Sequence, residues 1–223
     1  MKRYIKAAIK NISEEEEDFR WDLAADPATD SRTLAQLATD EDWTIRANVA
    51  RHPNTDVATL QKLAEEHFAP VLVAVSENPN TPTSILLQLA DYDIYKAATN
   101  SIEHPNATPE LLDKIADSDS YAIRAEVADS PMASAKTLDK LSHDEFSSVR
   151  VRVAHNKNTT EDTLAGMVTD KNIDVLYQVA RNSKISVDAL NAMHAYADTM
   201  RSVSDRKFVQ RTVDQELADR GVK

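Results

Sequence analysis

The sequence predicts an all-α chain: a right-handed α-solenoid of seven 26-residue two-helix repeats, closed by a capping helix at each end. Three observations carry this. Pro27, Pro53, Pro79, Pro105 and Pro131 stand 26 residues apart, and two further steps reach Lys157 and Ser183, where the proline is lost but the pattern goes on. Seven residues after each mark comes a leucine: Leu34, Leu60, Leu86, Leu112, Leu138, Leu164 and Leu190. Only two glycines occur in 223 residues, and strand-rich folds need more of them in their turns. A register held without insertion is the mark of a repeat architecture.

Each unit reads as two short helices. The first, as in "WTIRANVAR", sets Ile45 and Val49 on one stripe with Ala50 beside them. Four residues before each mark stand Leu23, Val49, Val75, Ser101, Val127, Val153 and Val179. Pro53 ends that helix, because the residue before a proline is pushed out of the α region. Thr55, Thr81, Thr108 and Thr159 are expected N-caps of the second helix, with Pro82 and Pro109 at its first position. That helix, as in "VATLQKLAEE", shows Leu60 and Leu63; the latter register continues as Leu37, Leu89, Ile115, Leu141, Met167 and Met193. Polar turns such as "TDED" and "DSDS" lead onward, with Asp42 and Ser120 as expected caps. One pair cannot bury its own apolar face; stacked pairs can.

Residues 1–223 are expected to form one domain: capping helix 1–13, repeats 14–197 and capping helix 198–223. Tyr4, Ile5, Ala8, Ile9 and Ile12 share a face in the first, and Ser13 with Glu16 makes a capping box. Phe208, Val209, Val213 and Leu217 share a stripe in the last, with Gly221 as its C-cap. The rival reading of the last helix is an amphipathic docking helix.

Charge and composition narrow the function classes. The net charge is −11. Residues 1–146 hold 14 Lys/Arg and 27 Asp/Glu, a net of −13, and the remainder is +2. The body should repel nucleic acid and anionic lipid; the C-terminal third need not. The absence of cysteine excludes disulfides, cysteine–zinc sites and a thiol nucleophile, and suits a reducing, cytoplasmic setting. No apolar run is long enough to span a membrane, and none resembles a signal peptide. There is no P-loop, G-x-S-x-G, H-E-x-x-H or EF-hand loop. His52 and His104 hold equivalent positions two repeats apart, too far to share a metal. "EEEED" at 14–18 suits a helix N-terminus without a ligand. No cofactor and no enzymatic constellation is expected.

The repeated "VR-x-x-VA-x-x-P-x-T" followed by "L-x-x-LA" over residues 19–197 resembles the leucine-rich repeat variant (LRV) motif. That family's unit is slightly shorter and one of its two helices is 3₁₀; the longer unit here leaves the helix type open. The iron–sulfur cluster known in that family needs cysteines, so it does not carry over. In the other phase each unit is similar to a HEAT repeat, which has an Asp in the turn and an Arg six residues on. Asp40 with Arg46 and Asp144 with Arg150 match that spacing; Ser118 precedes Arg124 by the same step, while Leu72 and Leu176 depart from it. The resemblance implies that the Val-Arg helices line a concave face and the Leu helices lie outside.

Candidate functional positions follow from the register. Arg46, Arg124 and Arg150 read either as phosphate ligands or as locks that reach a turn carboxylate of their own or a neighbouring repeat. Asn48, Arg51, Glu77, Asn100, Glu103, Glu126, Asp129, Arg152, His155, Gln178 and Arg181 point away from the apolar stripe. On the implied concave face they form a polar ridge, acidic in the middle and basic at the far end. Trp43, Tyr95 and Tyr121 recur at one position, as partner anchors or as packing against the adjacent turn. The leading expectation is a non-enzymatic scaffold that binds a protein or peptide with a basic surface. The alternative is a nucleic-acid-binding or DNA-repair protein using Arg150, Arg152, His155, Arg181 and Lys184, with Arg201, Arg206, Lys207 and Arg211. Self-assembly through an exposed end is a third.

Overall fold

A computed structural model describes residues 17–222. The expected N-terminal capping helix and its Ser13–Glu16 capping box lie outside the described residues. Those described are helical, with no strand among them. They fall into two compact units that divide between Ala107 and Thr108. The first holds α1 (Glu17–Ala25), α2 (Ser31–Leu37), α3 (Trp43–Arg51), α4 (Val57–Ala64), α5 (Ala69–Glu77), α6 (Thr83–Leu89), a 3₁₀ turn at Ala90–Tyr92, and α7 (Tyr95–Glu103). The second holds α8 (Pro109–Ile115), α9 (Tyr121–Asp129), α10 (Ala135–Leu141), α11 (Ser147–His155), α12 (Glu161–Gly166), α13 (Ile173–Arg181), α14 (Val187–Asp198) and α15 (Val203–Asp219).

Within each unit the first helices of successive repeats pack side by side. In the first unit α1 meets α3, α3 meets α5, and α5 meets α7. In the second α9 meets α11, α11 meets α13, and α13 meets α15. The shorter second helices flank that row. Both helices of each repeat are α-helical, and 3₁₀ geometry is confined, among the described residues, to the turn after α6.

The register leucines form the core: all seven, Leu34 through Leu190, are fully buried. So are Val49, Val75, Val127, Val153 and Val179 on the facing helices. Each such side chain contributes roughly 1.5–3 kcal/mol by leaving water. Ser101 replaces the valine in α7 and stays satisfied by donating to the Ala97 carbonyl at 2.7 Å.

Capping differs from expectation at three threonines. Thr108 caps α8, accepting from Leu111 N. Thr55, Thr81 and Thr159 instead turn back and donate to Val49, Val75 and Val153 carbonyls, closing the preceding helix. Their neighbours open the second helix: Asp56 accepts from Thr59 N and Thr160 from Thr163 N, while Pro82 is itself the N-cap of α6. A threonine one residue too early cannot reach the free N–H groups of the first turn, but it lies beside the last carbonyls of the helix it leaves. Asp42 caps α3 as expected; Ser120 holds the N-cap position of α9 without a side-chain bond.

At the C-terminus α15 packs on α13 and α14 through buried Val209 and Val213, while Phe208 is exposed beside Tyr177. Gly221 has φ +70°. Its N–H reaches the Ala218 carbonyl and Val222 N–H reaches that of Leu217, the Schellman pattern that a residue without Cβ accommodates.

Candidate interaction surface

Two series of polar contacts wire neighbouring repeats together within each unit and decide which polar residues remain for a partner. In the first, an arginine of the first helix clamps two turns. Arg150 Nη1 donates to the Asp144 and Glu145 carbonyls of its own turn, while Nε and Nη2 grip the Asp170 carboxylate 20 residues on, at 2.7 and 3.0 Å. Arg124 repeats this with the Ser118 and Asp119 carbonyls and with Asp144. Arg46 takes the Asp40 and Glu41 carbonyls and Glu66. Arg20 meets Asp40 at 3.2 Å. The Asp–Arg spacing of six is therefore not a carboxylate pair within one turn. Arg46 uses the backbone of Asp40, whose carboxylate faces the preceding repeat.

Bidentate geometry sets the electrostatics. Hydrogen bonding to Asp144 and to Asp170 raises the guanidinium pKa of Arg124 and Arg150 above its ordinary value against the opposing pull of burial. Burial works to raise the Asp144 carboxyl, but bonds from Arg124 and from Phe146 N, with the nearby positive charge, outweigh it and hold Asp144 below the usual range. Thr44, through its hydroxyl and its N–H, does the same for Asp42.

The second series is buried. The C-cap residues of five first helices reach back one repeat to a backbone carbonyl, whereas Ser130 at the end of α9 accepts from Met132 N instead. His52 Nε2 meets Asp26 O at 2.8 Å, and Asn78 Nδ2 donates to Ala50 O at 2.6 Å and His52 O at 2.9 Å. His104 Nε2 meets Asn78 O. In the second unit Asn156 donates to Ala128 O and Ser130 O, and Asn182 to Ala154 O and Asn156 O. Arg220 continues the series onto the Asn182 and Ile185 carbonyls. Backbone N–H groups of Asn54 and Asn106 donate to the Nδ1 of His52 and His104, which fixes the Nε2–H tautomer. A partly exposed rail runs alongside: Asn54, Asn80, Asn106 and Asn158 donate to the carbonyls of Pro27, Pro53, Pro79 and Pro131.

The ridge residues lie on the first helices, but much of their charge is spent within the fold. Arg51 pairs with Glu77 at 2.6 Å. Arg152 lies 3.2 Å from Asp129 and 3.8 Å from Glu126. Asn100 donates to Ser76 Oγ, and Arg181 meets Glu216 at 3.4 Å while standing over the Tyr177 ring. Asn48 Nδ2 is buried without a hydrogen-bond partner. Glu103 and His155 are exposed and Gln178 half-buried. Three acids of the ridge are thus met by ridge arginines, Glu77 by Arg51 and Glu126 and Asp129 by Arg152. The cationic patch of the nucleic-acid reading is likewise engaged: Arg150 by Asp170, Arg152 by Asp129, and Arg206 by the Met200 carbonyl.

The aromatic positions are about half exposed. Trp43 is 44% exposed, Tyr95 49% and Tyr121 48%. Two partners appear that the sequence reading passed over. Phe68, 40% exposed, lies 5.7 Å from Trp43, and Phe146 stacks on Tyr121 at 4.5 Å. The signal was present, since each phenylalanine follows its partner by one repeat less one residue. In the first unit Trp43, Phe68 and Tyr95 mark the entries of α3, α5 and α7. The turns that lead into those helices, 38–42, 65–67 and 90–94, carry seven Asp/Glu and no Lys or Arg. Asp40 and Glu66 meet the locking arginines. In the second unit the Arg124 guanidinium lies 5.8 Å from the Phe146 ring centre, an arginine on an aromatic at this same edge.

Among the described residues no group of three His, Asp or Glu is gathered as a metal site, and no helix is long and apolar enough to cross a membrane. Packing and register define an all-α helical-repeat protein. No family model and no curated protein matches the chain. A solved structure, the archaeal HEAT-like repeats protein from Thermococcus onnurineus NA1, is similar with a TM-score of 0.35, 12% identity and 97% of each chain covered.

Proposed function

We propose that this chain is a non-enzymatic, cytoplasmic scaffold of LRV/HEAT-like repeats that binds a protein or peptide with a basic surface. The observation that carries the reading is the exposed aromatic series Trp43, Phe68 and Tyr95, set among acidic turns of the first unit. Large aromatics left in water at a repeated register cost solvation that a partner would recover, and such residues anchor interfaces. Carboxylates around them select lysine and arginine, which also favour aromatic faces. The ridge on the first helices, with Glu103 exposed, extends the same surface chemistry. The absence of cysteine supports the cytoplasmic assignment.

The test uses the protein's two tryptophans. With Trp21→Phe as background, Trp43 fluorescence is titrated with a short Lys/Arg-rich peptide and with an acidic peptide of equal length. Saturable quenching by the basic peptide, weakened by salt and abolished in Tyr95→Ala/Phe68→Ala, supports the reading. Equal responses to both peptides, or none to either, overturns it.

A further inference from the structure

A cleft of about 220 Å³ opens in the second unit between the C-terminal ends of α11 and α13 and the turns that follow them. Beside the apolar Ala154, its polar lining is His155, Lys157, Gln178, Arg181, Asn182 and Ser183. Three of these are basic, the others are neutral hydrogen-bonding groups, and none is acidic, in a chain whose net charge is −11. Basic residues near a helix C-terminus commonly serve its unsatisfied carbonyls. At the end of α11 that role is already filled. Arg152 O and Val153 O accept from Asn156 N, and Ala154 O and Asn156 O accept from Asn182 Nδ2. The α11 side of the cleft is thus already capped by donors.

Arg181 is also pre-set. Its Nη1 lies 3.4 Å from Glu216, and its guanidinium carbon sits 5.6 Å from the Tyr177 ring centre. A single contact on one nitrogen leaves other N–H donors of the guanidinium for a second acceptor. Holding the group in place lowers the entropy lost on binding. Gln178 and Ser183 add neutral donors. The volume is below the ~300–1,000 Å³ of drug-sized sites.

We infer that this cleft is a binding site for a phosphate monoester. Two cationic groups and an imidazole around a small cleft match a dianion with three acceptor oxygens better than a carboxylate with two. The inference is independent of the aromatic edge and of the basic-partner reading.

The test follows the His155 imidazole and backbone amide resonances of the full chain by NMR. Inorganic phosphate, O-phosphoserine, acetate and a short single-stranded oligonucleotide are added at constant ionic strength. Saturable shifts at His155, Gln178 and Ser183 are expected with phosphate and phosphoserine, and weaker ones with acetate. Lys157→Gln, a change on an exposed turn, should weaken phosphate binding about tenfold, the worth of one charge-assisted hydrogen bond. Ser183→Ala should weaken it less and leave the fold unchanged. Shifts that do not saturate, acetate as effective as phosphate, or indifference to Lys157→Gln would overturn the site. Preference for the oligonucleotide through the same residues would also overturn it, in favour of a phosphodiester reader.

Discussion

Replacing Asn78 by alanine tests whether the buried amide series holds the repeats together. Asn78 is fully buried. Its amide donates to Ala50 O at 2.6 Å and His52 O at 2.9 Å, and its Oδ1 accepts from Asn80 N at 2.9 Å. Truncation strands the Ala50 carbonyl, which faces the interior, and the Asn80 N–H, while His52 O keeps its bond from Thr55 N. Each buried group left without a partner costs about 1–3 kcal/mol, and water entering the gap recovers some of that. The expected loss is about 3 kcal/mol, against a total of roughly 5–15 kcal/mol for a domain. Asn54→Ala is the control. Its amide reaches Pro27 O and Thr29 O at 3.1 and 3.0 Å, at a position open to solvent. Water can replace it, so its loss should be under about 1 kcal/mol. Urea unfolding followed by circular dichroism reads both. Two compact units need not unfold together, so the affected transition is fitted by itself. If Asn78→Ala and Asn54→Ala were equally mild, the amides would be incidental to stacking and the reasoning would fail.

Further outcomes follow from the same geometry. Arg124→Ala should cost about 2–3 kcal/mol because it strands the largely buried Asp144 carboxylate, while the Arg124→Ala/Asp144→Ala double variant should cost clearly less than the sum of the singles in a denaturation cycle. The folded Asp144 carboxyl titrates below its unfolded value near ~3.9, so the unfolded chain binds more protons between the two. Its contribution is complete above that unfolded value and is lost as pH falls through the lower folded one; Asp144→Asn should flatten this acid limb in a Tm–pH series. Gly166 ends α12, and a Cβ added there would meet no atom within 4 Å, so Gly166→Ala should stabilise by about 0.5–1 kcal/mol. Gly221→Ala should destabilise by about 1 kcal/mol, because φ +70° disfavours a side chain. Thermal melts separate the two.

The repeat was legible because a 26-residue period writes core geometry directly into the chain. Leu34 to Leu190 and the facing valines are buried as the spacing requires. The capping threonines were misread because a one-residue offset separates closing one helix from opening the next, and propensity does not resolve it. The carbonyl-binding series was written at the position before five of the seven marks, as His52, Asn78, His104, Asn156 and Asn182. It escaped notice because Asn and His there look like ordinary turn residues. Where the mark itself is Lys157 or Ser183, the preceding Asn156 and Asn182 keep the extended conformation seen before the prolines, with ψ 131° and 128°. The arginine locks carried a clearer signal. Arg20, Arg46, Arg124 and Arg150 each have an acid 20 residues on, whereas Leu72 and Leu176 have Tyr92 and Tyr196 there. The pairing of ridge charges across repeats, Arg51 to Glu77 and Arg152 to Asp129, was not legible, because it depends on stacking that a list of charges does not display.

The most direct measurement on the central claim is affinity capture from native lysate with quantitative mass spectrometry, comparing the wild type with Trp43→Ala/Tyr95→Ala. Both side chains are only about half exposed, so a thermal melt first establishes that the variant is folded at the capture temperature. The account predicts a protein with a basic surface that is recovered by the wild type, released by salt and lost from the variant, and that then binds the purified chain in a titration. Identical recoveries from the two, with folding intact, would contradict it.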